Sequence, residues 1–548
     1  MIVLEGKSVY QGIAFGTLKF YKKTVMTKRV YQVADTEEEL RRFEQGRQFS
    51  IGQLEELYQK ALKEIGSEEA MILQVHQMLL EDTEYLNYIT NIIQDQKVNA
   101  EHAVSCASDY FVETFSSLED EYMKERAADI KDVSDRLVRA LSSEESGTEL
   151  TEPAVLAAED LAPSETVQLE RSMILSLLTQ RGSVNSHTAI LARTMNIPAV
   201  IGIGDGLKPE YDGRAVIVDG FAGKVYIDPE KELSQELMQR KQTEEDRKKA
   251  LKELFGKENV TKDGKHIDLF ANIGEVADVC EALKNDAGGI GLMRSEFLYL
   301  NKDRFPTEEE QFEAYREVLK GMQGRKVIIR TLDIGADKQA EYFQLPKEEN
   351  PALGFRAIRI CLTRQEIFKT QLRALYRASV YGKLAIMFPM IISLEEIREI
   401  KQVLSEVKQE LTREGIAYNR NVEIGIMIET PAAAIISDLL AKEVDFFSIG
   451  TNDLTQYTTA IDRQNPMLDA FHDPHHPAIL RLIKMTVDNA HRNGIWVGIC
   501  GELAADLSLT ETFLTLGVDE LSVSPGRILE LRKKVRESSM KDAVSAVI

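Results

Sequence analysis

The segment Phe446-Phe-Ser-Ile-Gly-Thr-Asn-Asp453 is a short apolar run followed at once by a polar turn. An apolar run without polar alternation is typical of a parallel strand that is buried on both faces. Further segments of this kind recur in a rhythm of strand, loop and helix: Ile267–Ile273, Gly289–Arg294, Val327–Leu332, Leu384–Pro389, Glu423–Ile428, Trp496–Cys500 and Glu520–Val523. About eight such units in roughly 280 residues predict a C-terminal (β/α)8 barrel of the TIM type, which we place at residues 261–540.

The chain before the barrel has a different pattern. Residues 1–21 and 146–228 contain short strand-like segments separated by glycines, and together they predict one small α/β domain. Residues 22–145 carry apolar side chains mainly at helical spacing, which predicts a helical subdomain inserted in that domain. The highly charged residues 229–260 predict a solvated linker helix. The predicted fold class is therefore multidomain α/β.

The composition argues against several classes of protein. The 548 residues are 43% hydrophobic and 28% charged, which is typical of a globular protein of several domains. The net charge of −22 argues against nucleic-acid and anionic-membrane binding and favours a basic protein partner. No apolar run approaches the roughly 20 residues of a membrane helix, and a signal peptide is not recognisable, so we expect a cytoplasmic protein without membrane insertion. The four cysteines lack CxxC spacing and predict neither a disulfide framework nor a zinc site.

His187 stands where a polar segment meets a short helical pattern. Asn185 and Ser186 are favoured N-cap residues, and we predict the helix from Thr188 to Met195. The free N–H groups and the dipole at a helix start favour a phosphoryl group. His187 is therefore a candidate nucleophile that carries phosphate covalently, although a lone histidine at such a position is more often structural.

Polar side chains follow the barrel strands at their carboxyl ends, where barrels place their active sites. They are Arg294, Arg330, Glu429, Asn452, Asp453, Arg463 and Cys500. Three arginines at one mouth predict binding of a multiply charged, oxygen-rich anion. Glu429 and Asp453 follow adjacent strands and suit a Mg²⁺ ion, with Mn²⁺ as the alternative. Cys500 is a candidate proton donor to a substrate carbon. Each residue alone has a structural explanation, and the combination is far more specific.

These motifs closely resemble those of Enzyme I of the bacterial phosphoenolpyruvate:sugar phosphotransferase system. The segments that carry the resemblance are Arg126–Ile130, Gly288–Phe297, Arg330–Gly335, Glu349–Arg359, Phe446–Tyr457 and Ile499–Ala504. The match covers nearly the full chain. It implies a swivelling α/β phosphohistidine domain, a helical subdomain that docks the small carrier protein HPr, and a barrel that binds phosphoenolpyruvate with Mg²⁺ and forms a homodimer.

The resemblance also implies a role for each candidate residue. The positions that match substrate-binding groups are Arg294, Arg330, Arg356, Asn452, Asp453 and Arg463. Glu429 and Asp453 match the metal ligands. His187 matches the phosphoryl acceptor, and Cys500 matches the group that protonates the enolate to give pyruvate. The phosphoryl group then passes to HPr, a basic partner that the acidic residues Glu68, Glu69, Glu81 and Asp82 would favour on charge alone.

Some positions depart from the family pattern and leave alternatives open. Ser183 and Asn185 replace residues that are usual before the histidine, and Gln74-Val75 is unusual before His76. These changes remove no catalytic group, but they keep open a specialised paralogue that phosphorylates a different HPr-like carrier in a regulatory pathway. Pyruvate phosphate dikinase needs a nucleotide-binding domain for which this chain has no room. A phosphorylation-responsive signalling protein would not need the complete barrel site, and an aldolase or lyase would leave residues 1–260 without a purpose.

Overall fold

The computed structural model describes residues 1–21, 30–64, 67–117, 121–142, 150, 152–161, 163–167, 169–182, 186–300, 302–335, 341–463, 465–471 and 473–539. Ser183, Asn185 and the imidazole of His187 lie outside the described residues and atoms, as do the carboxylates of Glu68 and Glu69. The chain divides into two units, residues 1–246 and residues 247–548. Each is described by itself.

The first unit contains a mixed sheet of short strands. They are β1 (Ile2–Glu5), β2 (Lys7–Tyr10), β3 (Ile13–Phe20), β4 (Ala154–Ala158), β5 (Ile174–Thr179), β6 (Ala199–Ile201), β7 (Ala215–Asp219) and β8 (Lys224–Ile227). Their order in the sheet is β1-β8-β7-β3-β4-β5-β6-β2. Strand β3 runs parallel to β4 and antiparallel to β7. The N-terminal segment therefore completes a sheet whose other strands come from beyond residue 150, as predicted for one α/β domain.

Helices fill the chain between β3 and β4. They are α1 (Thr36–Glu64), α2 (Ser67–Glu81), α3 (Thr83–Gln96), α4 (Ala100–Ser116) and α5 (Glu121–Ser142). Their apolar faces form a separate core in which Leu54, Leu73 and Ile89 are fully buried. The exposed Asp82 caps α3, because its side chain accepts a hydrogen bond from the N–H of Tyr85 (2.8 Å). The prediction of an inserted helical subdomain is confirmed.

Three more helices complete this half of the chain: α6 (Pro163–Thr166), α7 (His187–Met195) and α8 (Lys231–Lys252). Helix α8 lies in the segment predicted as a linker, and the division between the two units falls within it. Leu237 is the buried side chain of α8, so most of this charged helix faces solvent. In the described ranges, none of the helices combines the length and hydropathy that a membrane span requires.

The second unit is a closed parallel barrel. Its strands are β9 (Asp268–Ile273), β10 (Ile290–Met293), β11 (Lys326–Arg330), β12 (Lys383–Phe388), β13 (Glu423–Ile428), β14 (Phe446–Ile449), β15 (Trp496–Ile499) and β16 (Glu520–Val523). Strand β16 pairs with β9 and closes the barrel, with Val523 opposite Ala271. All eight predicted strands are confirmed. The bounds of Glu423–Ile428 and Glu520–Val523 are as predicted. Those of the other strands differ by one or two residues, because a strand is bounded by its ladder hydrogen bonds and not by the apolar run.

Helices surround the barrel: α9 (Asp278–Lys284), α10 (Glu308–Gly321), α11 (Ile358–Thr363), α12 (Gln365–Ala378), α13 (Leu394–Arg413), α14 (Pro431–Ile435), α15 (Ser437–Leu440), α16 (Thr451–Thr459), α17 (Pro477–Arg492), α18 (Thr510–Leu516) and α19 (Ile528–Glu537). The interior of the barrel is packed near the amino ends of the strands. There the ring of Phe446 stacks on Trp496, with 4.6 Å between centroids. It lies so close to Gly425 that a Cβ there would be 2.4 Å from the ring. Side chains therefore fill the barrel interior at this end.

Candidate active site

A cavity of about 560 Å³ opens at the carboxyl ends of the barrel strands, and we call it the mouth cavity. Its wall includes every barrel residue that the sequence proposed: Arg294, Arg330, Arg356, Glu429, Asn452, Asp453, Arg463 and Cys500. These residues come from five strand ends and two connecting segments, and parallel strands bring them to one edge. The barrel part of the predicted constellation is therefore one cavity in space.

Arg330, the last residue of β11, is held by two buried carboxylates. Its Nη1 pairs with Asp333 Oδ2 (2.8 Å), and its Nη2 donates to Glu296 Oε1 (3.0 Å). Burial alone would lower the pKa of Arg330, but the charges of Asp333 and Glu296 outweigh it and raise the pKa. The guanidinium therefore stays charged. Asp333 Oδ1 also accepts from Nη2 of Arg356 (2.9 Å). Two arginines are thus aligned on one carboxylate.

Arg294 is arranged differently. It follows β10, its side chain is exposed, and its backbone N–H donates to Ile273 O (3.0 Å). Within the described part of the chain, its guanidinium makes no hydrogen bond or ion pair. The group therefore lines the mouth cavity with its donors available to a ligand.

Glu429, just beyond β13, is a buried acid with uncompensated charge nearby. Its Oε1 accepts a hydrogen bond from the N–H of Met390 (2.6 Å). Burial, then Asp453 and Asp333, raise the pKa of Glu429 to about 8, and Arg330 opposes the rise. A second carboxylate, Asp453, lines the same cavity and pairs with Arg463 at 3.3 Å. Two carboxylates that line one cavity are the donor set that a hard divalent cation prefers.

Asn452 lies in the first turn of α16, which begins directly after β14 and Gly450. Its amide forms a reciprocal pair with Glu502: Nδ2 donates to Oε1 (3.0 Å), and Oδ1 accepts from the backbone N–H (2.9 Å). Gly450 leaves room at the turn, because a Cβ there would lie 3.1 Å from the side chains of Glu429 and Met427 and would press on them. The cavity wall thus contains the start of a helix with a fixed amide.

Cys500 directly follows β15 and is 4% exposed. Its Sγ donates to the carbonyl of Ile449 (3.7 Å). Burial raises the pKa of the thiol to about 12, and the hydroxyl of Ser448 partly offsets the rise. The sulfur therefore carries a proton at neutral pH and lies on the cavity wall, as a proton donor requires.

His187 belongs to the other unit and is the first residue of α7. Ser186 is the N-cap, and its Oγ accepts from the N–H of Ala189 (3.4 Å). The helix starts one residue earlier than predicted, because Ser186 is the N-cap and the backbone is already helical at the histidine. The predicted position at a helix N-terminus is confirmed for the backbone.

From the sequence, no function is assigned to Glu296, Asp333 and Glu502. The structure shows that each holds a cavity residue in place. A usable signal exists for two of them, since an acid follows an arginine by two or three residues in Arg294-Ser-Glu296 and Arg330-Thr-Leu-Asp333. No group of three or more His, Cys, Asp or Glu side chains in the described ranges is arranged to hold a metal. A cation at this site would need ligands from substrate or water.

Comparison with known proteins agrees with this architecture. Family models match residues 248–540 (PEP-utilising enzyme, PEP-binding domain), 5–126 (PEP-utilising enzyme, N-terminal) and 150–223 (PEP-utilising enzyme, mobile domain). The phosphoenolpyruvate-protein phosphotransferase of Bacillus sp. (strain S) is 46% identical over 542 residues, which cover 98% of this chain and 94% of the relative.

Two further relatives carry the same name. Those of Bacillus subtilis (strain 168) and Haemophilus influenzae are 45% and 43% identical over 544 and 546 residues, which cover 99% of this chain and 95% of each relative. Identity at this level extends across both units, so the match is not limited to the barrel. The chain belongs to the phosphoenolpyruvate–protein phosphotransferase family, whose motifs its sequence resembles.

Proposed function

We propose that this chain transfers the phosphoryl group of phosphoenolpyruvate to its own His187 and then to a histidine of HPr, releasing pyruvate, as the first step of sugar uptake by the phosphotransferase system. The observation that carries the proposal is the mouth cavity, where all of the predicted barrel residues converge. The position of His187 at the start of α7 supports the second half of the reaction.

The cavity suits a small anion with both a phosphate and a carboxylate. Arg330 and Arg356 are aligned by Asp333, and Arg294 is available to the ligand. Arg463 and the Asn452 amide line the same cavity. We assign these five side chains to substrate binding, together with Asp453. Charged, preorganised donors lose little entropy when the anion binds, and they stabilise the charge that spreads over the phosphoryl oxygens.

Glu429 and Asp453 would hold Mg²⁺. One oxygen of Glu429 accepts a hydrogen bond from the backbone N–H of Met390, and Asp453 is the acid that most raises the pKa of Glu429. The site therefore offers carboxylate oxygens whose negative charge is only partly neutralised. A bound divalent cation would offset negative charge on the substrate oxygens. Mn²⁺ accepts the same ligands. Either ion would be held by the same two carboxylates.

The reaction then needs two groups of the chain. A ring nitrogen of His187 attacks phosphorus, the bond from phosphorus to the bridging oxygen breaks, and the enolate of pyruvate remains in the cavity. Cys500 gives its proton to the methylene carbon of that enolate, which yields pyruvate and a thiolate. The raised pKa of Cys500 keeps this proton on the sulfur until the enolate forms. His187 reaches the cavity by a swivel of its domain, for which the charged helix α8 is the proposed hinge.

The partner assignments belong to the same proposal. HPr would dock on the helical subdomain, where Glu81 and Asp82 are exposed and acidic. The barrel domain would form the homodimer, and the protein would work in the cytoplasm. The specialised paralogue remains the second candidate, favoured by one observation: the unusual Gln74 is exposed on α2, where a carrier could contact it.

The test is incubation with phosphate-labelled phosphoenolpyruvate and Mg²⁺, with and without HPr. Acid-labile label on the wild type that is chased onto HPr supports the proposal. His187→Ala should carry no label, whereas His491→Ala, at an exposed histidine paired with Asp519 (2.8 Å), should label normally. Label that stays on the wild type favours a different carrier. Absence of label from the wild type would overturn the proposal.

A further inference from the structure

A buried polar network adjoins the ends of strands β10 and β11, and the proposed reaction does not use it. Its members are Ser295, Tyr299, Gln311, Tyr315 and Gln371, none of which is more than 1% exposed. Helix α10 carries Gln311 and Tyr315, and helix α12 carries Gln371. Polar side chains at this depth cost free energy unless they are hydrogen-bonded. The bonds of the network therefore bear on how the segments around it are held.

Every hydrogen-bonding atom of the Gln371 amide has a partner. Its Oε1 accepts a hydrogen bond from the backbone N–H of Leu332 (3.0 Å), and its Nε2 donates to the hydroxyls of Ser295 (3.1 Å) and Tyr315 (3.0 Å). A backbone N–H can only donate, so the atom that faces Leu332 is the oxygen, and the orientation of the amide is fixed. One side chain from an outer helix thus binds two separate segments of the barrel.

These two segments contain residues that line the mouth cavity. Ser295 lies in residues 294–296, just beyond β10, and Leu332 lies in residues 330–333, at the end of β11. The first segment contributes one arginine to the cavity wall, and the second contributes another arginine together with an aspartate. Gln371 therefore ties together the two stretches of backbone from which these charged side chains extend.

The carboxylate of Glu296 depends on the same two segments. It accepts hydrogen bonds from Nη2 of Arg330 (3.0 Å) and from the backbone N–H of Asp333 (3.1 Å). A shift between the two segments would change both distances, because the carboxylate extends from one segment and the donors belong to the other. The bonds of the Gln371 amide oppose such a shift.

A second glutamine, Gln311, lies in the same network but has other partners. Its Oε1 accepts from the hydroxyls of Tyr299 (3.1 Å) and Tyr315 (3.2 Å), and its Nε2 donates to the carbonyl of Pro306 (3.2 Å). Gln371 thus bonds to both cavity segments, whereas the described bonds of Gln311 are made elsewhere. The two glutamines are equally buried and differ in what they hold.

We propose that Gln371 is a positioning residue for the substrate anion: it sets the separation of the segments that carry Arg294 and Arg330. The inference rests on the proposed function. Gln371 is buried in the helix layer and acts through the two segments. An anion that is bound by both its phosphate and its carboxylate needs donors at a fixed separation. A displacement of about 1 Å in such a site can cost up to about a hundredfold.

The experiment measures the Kd of phosphoenolpyruvate in the presence of Mg²⁺ by titration calorimetry. The parent protein is His187→Ala, in which the ligand is not consumed. Gln371→Met keeps the length of the side chain but removes its hydrogen bonds, so Kd should rise about tenfold or more. The matched control is Gln311→Met, the same substitution in the same network, for which Kd should stay unchanged. Both variants should lose similar stability in denaturant unfolding, because each leaves buried polar groups unpaired.

Ser295→Ala removes one of the bonds to Gln371 with a smaller loss of packing, and it should raise Kd in the same direction. If Gln371→Met does not fold, the Kd of Ser295→Ala decides. An unchanged Kd would overturn the proposal. An equal rise in Gln371→Met and Gln311→Met would also overturn it, because a general loss of structure would then explain the effect. A His187→Ala parent that does not bind phosphoenolpyruvate would instead overturn the proposed function and the inference that rests on it.

Discussion

Arg330 and Asp333 form a buried ion pair at 2.8 Å, three residues apart at the end of one barrel strand. The same carboxylate holds Arg356, which lies farther along the chain, at 2.9 Å. Asp333 therefore sets the spacing of two guanidinium groups before any anion arrives. Its position depends on Glu296 as well, since the backbone N–H of Asp333 donates to that carboxylate (3.1 Å).

Asp333→Asn should weaken the binding of phosphoenolpyruvate. Losing charge-assisted bonds to two arginines costs about 1.5–3 kcal/mol, so KM should rise about tenfold to a hundredfold. Steady-state kinetics measure the change. The matched control is Glu308→Gln, because Glu308 also bridges two arginines, Arg373 and Arg377 (both 2.7 Å), on the outer helices. An equal rise in KM for both variants would contradict the role of Asp333.

Glu429→Gln should abolish stabilisation by Mg²⁺. A cation that binds only the folded state stabilises it by about 2.7 kcal/mol at a hundred times its Kd. The wild type should therefore unfold at a higher temperature in excess Mg²⁺ than in chelator, and the variant should not respond. Glu502→Gln, whose amide can still accept from Asn452, is the control on the same cavity wall and should respond like the wild type. A response that survives in Glu429→Gln would exclude Glu429 as a ligand.

Ser186→Ala should slow phosphorylation of His187 and destabilise α7. Loss of an N-cap costs about 1 kcal/mol, and it frays the turn that presents the histidine. The control is Ser393→Ala, which removes the capping box of α13 in the barrel unit. Both variants should lose similar stability in denaturant titrations. Only in Ser186→Ala should His187 take up labelled phosphate more slowly. A similar slowing in both variants would show that the cap has no specific role in phosphorylation.

Glu520→Gln should change how stability depends on pH. Burial raises the folded-state pKa of Glu520, the first residue of β16, above its usual value of 4.5, so its contribution is fully present below pH 4.5 and is lost as pH rises toward the folded pKa. The glutamine of the variant does not ionise, so the variant does not lose this stability as pH rises. It should match the wild type near pH 4.5 and be more stable at pH 9, as measured by denaturant unfolding. If the free energy of unfolding changed with pH in the same way in the wild type and the variant, a raised pKa for Glu520 would be contradicted.

Several features could be predicted from the sequence because their causes are local. Strands buried on both faces leave unbroken apolar runs, and eight such runs separated by helices leave few folds other than a barrel. Parallel strands end at one edge, so the residues after the strands could be gathered into one site from their positions alone. The start of α7 could be predicted to within one residue, because Asn185 and Ser186 are both favoured N-cap residues.

Other features required the closed barrel. In the sequence, Glu296 and Asp333 look like ordinary loop acids, and Glu520 in Val518-Asp-Glu520 looks like a surface residue. The bridge from Arg330 to Arg356 depends on a loop that returns to the strand end, and no sequence period encodes that return. Pairing of β16 with β9 and β15 places Glu520 inside, against the open backbone of Gly498. The sequence by itself thus determined which residues could carry the chemistry, because strand burial and helix capping are local. Only the tertiary structure decided which carboxylates align the arginines and which carboxylate is buried inside the barrel, because those contacts join segments far apart in the chain.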